Sequence, residues 1–101
     1  MFVHHVFFWL NSPGHPDDRA QLLAGLQKLR ALPPIRTSHL GLPADTHRDV
    51  VERTYAVSWL LTFDTAEDEA AYQVHPAHQQ FVADCQHLWS RVVVYDTVSV
   101  E

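Results

Sequence analysis

Apolar positions along this chain change period several times, and each change marks an element. Residues 2 to 10, FVHHVFFWL, are dense in aromatic and β-branched residues and stop at the turn-forming Asn11-Ser12-Pro13-Gly14, so they predict a strand. Its alternation places His4, Val6, Phe8 and Leu10 on one face and His5, Phe7 and Trp9 on the other, and both faces are mainly apolar. Pro16, with Asp17 and Asp18 in the first turn, opens a helix. Leu22, Leu23, Leu26 and Leu29 repeat at helical spacing until Pro33-Pro34 forbids continuation, which predicts a helix over roughly 16 to 32. Residues 35 to 42 form a weaker strand candidate, followed by a polar loop.

Residues 53 to 63 alternate again, with Tyr55, Val57, Trp59, Leu61 and Phe63 on one apolar face, and read as a long strand. Thr65 and Asp68 resemble a capping box that opens a helix carrying Ala70, Ala71 and Val74. Because a residue before proline avoids the helical region, His75 predicts a break and Pro76 a new start. That segment repeats apolar residues at Phe81, Val82, Cys85, Leu88 and Trp89, and residues 91 to 100 form the last strand. The order β-α-β-β-α-β, with its last helix broken, is the split βαβ pattern of the ferredoxin-like α+β fold, a four-stranded antiparallel sheet of order 4-1-3-2 with helices on one face. Val6, Phe8, Leu10, Leu60, Val93 and Tyr95 are expected on the helix-free face. Monomers rarely leave so much apolar surface bare, so a second copy is expected to cover it, making a homodimeric α+β barrel.

The 101 residues fit a single domain, 1–101, expected to bury about 60 to 65% of its unfolded surface. Seven Lys and Arg against 12 Asp and Glu give a net charge of -5, which speaks against a nucleic-acid partner. The single Cys85 cannot form an internal disulfide and reads as a small core residue. The longest apolar run, Val6 to Leu10, is far too short to span a membrane, and the opening residues lack a signal-peptide pattern. A cytoplasmic protein with no membrane partner is expected. Eight histidines would carry the charge from -5 to +3 if all were protonated.

Chemistry is expected where the topology brings polar groups together. The start of the first strand lies beside the end of the last, and the broken helix starts at that same end. His5, Asp96 and the segment from Tyr72 to His78 should therefore converge at the end of an apolar cleft. His78 falls on the helix stripe that faces the sheet, where partial burial and a helix start favour a neutral ring able to accept a proton. The competing reading is structural: a half-buried His78 with one hydrogen bond, and a His5–Asp96 pair that only ties two strands. His4 and His5 point to opposite faces and cannot share an ion. A site of His5, His75 and His78 would rest on spacing alone, so no metal is expected.

The chain resembles the stress-responsive A/B-barrel (Dabb) family over nearly its whole length. The resemblance is carried by His5-Val6 in the opening strand, by Tyr72-Gln73-Val74-His75-Pro76-Ala77-His78 followed by Phe81, and by Trp89 leading into Val92-Val93-Val94-Tyr95-Asp96. It implies a homodimer of ferredoxin-like sheets closed into a barrel. It also implies the chemistry of a plant member that cyclises a linear polyketide thioester by aldol condensation without a cofactor. On that likeness His78 is the general base and Tyr72 orients it or the substrate. His5 and Asp96 are cleft partners. From their places along the strands and the last helix, Phe7, Trp9, Trp59, Phe81 and Trp89 are expected to be substrate-binding. The alternative is a non-catalytic, stress-associated or ligand-binding dimer. A cavity of about 300 Å³ or more joining His78 and Tyr72 to solvent would favour a ligand site.

Overall fold

The computed structural model describes residues 1–100. Strand β1 (Phe2–Leu10) leads through the turn at 11–15 into helix α1 (Pro16–Leu29). Strands β2 (Thr37–Gly41) and β3 (Val57–Phe63) follow, then helices α2 (Ala66–Val74) and α3 (Pro76–Cys85). A single 3₁₀ turn (Gln86–Leu88) delivers the chain into strand β4 (Trp89–Val98). The four strands form one antiparallel sheet in the order β2-β3-β1-β4, as the ferredoxin-like pattern requires. Most departures lie at element ends. Helix α1 stops at Leu29, β2 is shorter than residues 35 to 42, and β3 begins at Val57 rather than Arg53. Trp89 belongs to β4, not to the preceding helix.

The break between α2 and α3 follows the local chemistry. The Thr65 side chain accepts from the Asp68 backbone N–H at 3.1 Å and so caps α2. His75 is extended, and its Nδ1 accepts from the Ala77 N–H at 3.0 Å, so it serves as the N-cap of α3 with Pro76 just inside. Its ring is thereby spent on the backbone. Helix α3 lies close against α1 at Gly25, where a Cβ would come within 3.0 Å of the Cys85 Sγ and 3.1 Å of the Phe81 ring. That close approach seats α3, and with it His78, over the sheet.

The largest correction concerns which face of β1 meets the helices. Register pairs His4, Val6 and Phe8 with Leu61, Trp59 and Val57, the face of β3 that carries the core. Val6, Phe8 and Leu10, expected on the helix-free face, are buried beneath the helices with Leu22, Leu26, Leu29, Trp59, Leu61, Phe63, Tyr72, Phe81 and Leu88. His5, Phe7 and Trp9 consequently lie on the open face, the reverse of the expected placement. Strand β4 keeps its expected faces. Asp96, Val94 and Val92 pair with His4, Val6 and Phe8 under the helices, while Tyr95 and Val93 pair with His5 and Phe7 on the open face. Leu60, paired with His5 across β3, is likewise on the open face.

Candidate functional site

A cleft of about 180 Å³ opens between the helix layer and the β1/β4 side of the sheet. Val6, Phe8, Leu26, Trp59, Phe81, Val82, Trp89, Val92 and Val94 make it apolar, and His4, Tyr72, Gln73 and His78 supply its polar atoms. It opens along β4 because the helices stop short of that edge strand, leaving Val92 and Val94 partly exposed. The cavity is smaller than the roughly 300 Å³ at which ligand pockets usually begin. The reason is visible in the packing: Trp59 is buried, and Phe81 stacks on Trp89 with ring centroids 5.8 Å apart. There is room for a compact molecule only.

Tyr72 lies in the last turn of α2, and the His75 break turns the chain so that His78, in the first turn of α3, returns to it. The two rings meet edge to face with centroids 4.7 Å apart. The Tyr72 hydroxyl accepts a hydrogen bond from the Trp59 indole N–H at 3.3 Å, leaving its own proton free to point into the cleft. Burial, together with the Glu69 charge, pushes the phenol up to about 12 despite that bond, so it is a neutral donor. Burial lowers the pKa of His78 below the ordinary 6.5, and His4 adds to the effect. The Glu69 carboxylate and a hydrogen bond to the Gln73 backbone pull the other way. At neutral pH His78 is therefore an unprotonated imidazole beside a protonated phenol.

Asp96 does reach a histidine, but it is His4. Its Oδ1 lies 2.6 Å from His4 Nδ1, and Glu69 Oε2 lies 3.8 Å from the same nitrogen. With Nδ1–H donating to Asp96, the Nε2 lone pair of His4 faces the Gln73 amide at 3.5 Å, which in turn donates to Glu69 at 2.8 Å. His4, Gln73 and Glu69 are the members that the sequence reading missed. One signal for His4 was present. Trp9 has an indole N–H that needs a partner and so suits a half-open face, and it donates to the Thr54 hydroxyl at 2.9 Å there.

Of the expected site residues, Tyr72, His78, Trp59, Phe81 and Trp89 line the cleft, Asp96 reaches it only through His4, and His5, Phe7 and Trp9 lie elsewhere. Across the sheet, His5 Nε2 lies 2.7 Å from the Ser58 hydroxyl. Phe7 and Trp9 pack against Tyr55 and, with Val93, Tyr95, Glu52 and Arg91, line a shallow aromatic cup whose Arg91 guanidinium sits 4.5 Å from the Trp9 ring. A site of His5, His75 and His78 is thus geometrically closed, and among the described residues no three His, Cys, Asp or Glu side chains converge to hold a metal. Cys85 is buried, and its thiol is pushed up chiefly by burial, as suits a core residue.

Burial also lowers the pKa of His5, with His39 and His4 adding to it. Two histidines thus have folded values below the unfolded 6.5, so just below that pH the unfolded chain binds more protons than the folded one. Stability is then present above the unfolded value and is lost as pH falls towards the folded values. Thermal midpoints at about pH 5.5 should fall below those at pH 7.5, and His78→Gln should narrow the gap. An unchanged gap in that variant would show that burial does not hold His78 neutral.

The fold and the cleft define a ferredoxin-like α+β protein with acid/base groups held between helices and sheet. The chain belongs to the stress responsive A/B barrel domain family (Dabb), whose pattern matches residues 2–99. Among solved structures it is similar to a Dabb family protein with a ferredoxin-like fold from Mesorhizobium loti, at 20% identity and a TM-score of 0.81, covering 99% of this chain and 97% of that one. A dimeric ferredoxin-like protein of unknown function from Thermobifida fusca matches at 22% identity and a TM-score of 0.77, covering 97% and 90%. A hydroxynitrile lyase from Passiflora edulis matches at 19% identity and a TM-score of 0.79, covering 99% and 94%. No curated protein matches the chain. Among the described residues no helix is long and apolar enough to cross a membrane.

Proposed function

We propose that this protein is a homodimeric, cofactor-independent acid/base enzyme that acts, in the helix–sheet cleft of each subunit, on a compact carbonyl compound. The observation that carries the reading is the meeting of a neutral His78, a protonated Tyr72 and the His4–Asp96 pair in one apolar cleft. His78 takes a proton from carbon next to a carbonyl. Tyr72, whose lone pair is engaged by Trp59, donates to the carbonyl oxygen as negative charge develops there. The imidazolium formed on His78 returns the proton to the product, while His4 is held in place by its hydrogen bond to Asp96. The likeness in fold to a protein named as a hydroxynitrile lyase supports lyase-type chemistry, and the cleft size favours a substrate far shorter than a polyketide chain. No step calls on a metal, so activity is expected to survive chelation.

The homodimer reading rests on the open sheet face. Phe7, Tyr55, Leu60, Val93 and Tyr95 lie there, with Tyr95 63% exposed, and several neighbours of the same fold are described as dimeric. Placement in the cytoplasm belongs to the same proposal.

Acid/base competence can be read without knowing the substrate. Acetophenone in D₂O should exchange its methyl protons faster with the protein than in buffer, followed by proton NMR. Exchange at the buffer rate would sink the reading. Binding without exchange would favour the alternative, a non-catalytic ligand-binding dimer.

A further inference from the structure

Around the cleft, charge is distributed unevenly. Among the described residues no Lys or Arg lines it, and the polar atoms within are two imidazoles, a phenol and an amide. Beside His4, and outside the lining itself, stand two carboxylates, Glu69 of α2 and Asp96 of β4. Glu69 is 14% exposed and held by Gln73 at 2.8 Å; Asp96 is 44% exposed and held by His4 at 2.6 Å. Both flank the same imidazole, His4, which lines the cleft.

We propose that Glu69 and Asp96 make this cleft selective against anions, so that its substrate is an uncharged, compact, largely aromatic or aliphatic carbonyl compound and not a carboxylate, phosphate ester or nucleotide-linked thioester. The inference rests on the acid/base reading of the same cleft and narrows its substrate class. An anion entering here would leave water for an apolar cavity with no cationic side chain lining it, under the field of two negative charges. The Glu69 carboxylate lies 3.8 Å from His4 Nδ1, and its charge pulls the pKa of both Tyr72 and His78 upward. A neutral carbonyl meets no such penalty, and its ring finds Trp59, Phe81 and Trp89. The two carboxylates are fixed by hydrogen bonds rather than free to swing away, which makes the filter a built feature of the cleft.

Three probes of one shape and different charge test this: acetophenone, benzoate and benzylammonium, added to the full chain at neutral pH and followed by NMR at the ring protons of His4 and His78 and the indole N–H of Trp59. Acetophenone should shift all three, and benzoate should bind at least about tenfold more weakly. Glu69→Gln, which keeps the side chain's shape, should strengthen benzoate about three- to tenfold relative to acetophenone, with Asp96→Asn as a second charge deletion should the first variant not fold. Benzylammonium serves as the sign control and should weaken in the same variants. Benzoate binding as tightly as acetophenone, or indifference of benzoate to both variants, would overturn the charge filter while leaving the acid/base site to stand on its exchange activity. Failure of every probe to shift His78 and Trp59 would overturn the filter and the site together.

Discussion

Replacing His78 by alanine is expected to lower the catalysed exchange of acetophenone about 10²- to 10⁴-fold with the fold intact, the usual worth of a positioned general base. The expectation follows from geometry. His78 is half-buried on the inner side of α3, its ring is 4.7 Å from Tyr72, and burial keeps it unprotonated. The acid limb of the pH–rate profile should therefore lie below 6.5, the ordinary value of a free imidazole. Tyr72→Phe removes one donor and should cost less, about 10²-fold, with the limb unmoved. It also leaves the Trp59 N–H without its acceptor, so its stability is to be measured beside its rate. Full activity in His78→Ala would transfer the role of base to His4, the other imidazole of the cleft.

The second large effect separates the two faces of β1. Phe8→Glu puts a carboxylate among buried side chains beneath the helices, where Phe8 is 4% exposed and packs 5.1 Å from the Trp89 ring. Burying an unpaired charge costs several kcal/mol, comparable to the whole stability of a small domain, so the chain should fail to fold. Phe7→Glu, one residue earlier, places the same charge on the open face beside Tyr55 and Tyr95. The fold should survive there and the dimer dissociate. Circular dichroism and light scattering on the two variants distinguish the outcomes, and a folded monomer from Phe8→Glu would contradict the assignment of faces.

Much of the architecture was legible because local signals agreed with one another. Pro16 after a polar turn, the leucines of α1, the Thr65 cap and the His75-Pro76 break each have a short-range physical cause, and each appears where that cause places it. The inward aim of His78 was equally local, since Phe81 and Val82 define the stripe on which it falls. Tyr72 and His78 therefore met as expected.

Strand β1 behaved differently. Both of its side-chain sets are apolar, because one meets the helices and the other an aromatic open face, so alternation alone does not say which is which. A choice wrong by one residue inverts every side chain of the strand. That inversion exchanged His5 for His4 as the partner of Asp96 and moved Phe7 and Trp9 out of the cleft. Only the pairing of β1 with β3, which sets Val6 against Trp59 and Phe8 against Val57, resolves it. The amino-acid sequence by itself determined the elements, their order, the sheet topology and the meeting of Tyr72 with His78, because periodicity and capping act over a few residues. Tertiary structure decided the register of β1, the Glu69–Gln73–His4–Asp96 chain and the small size of the cavity. These depend on which long-range partners fill the space around each side chain, and no local pattern encodes that.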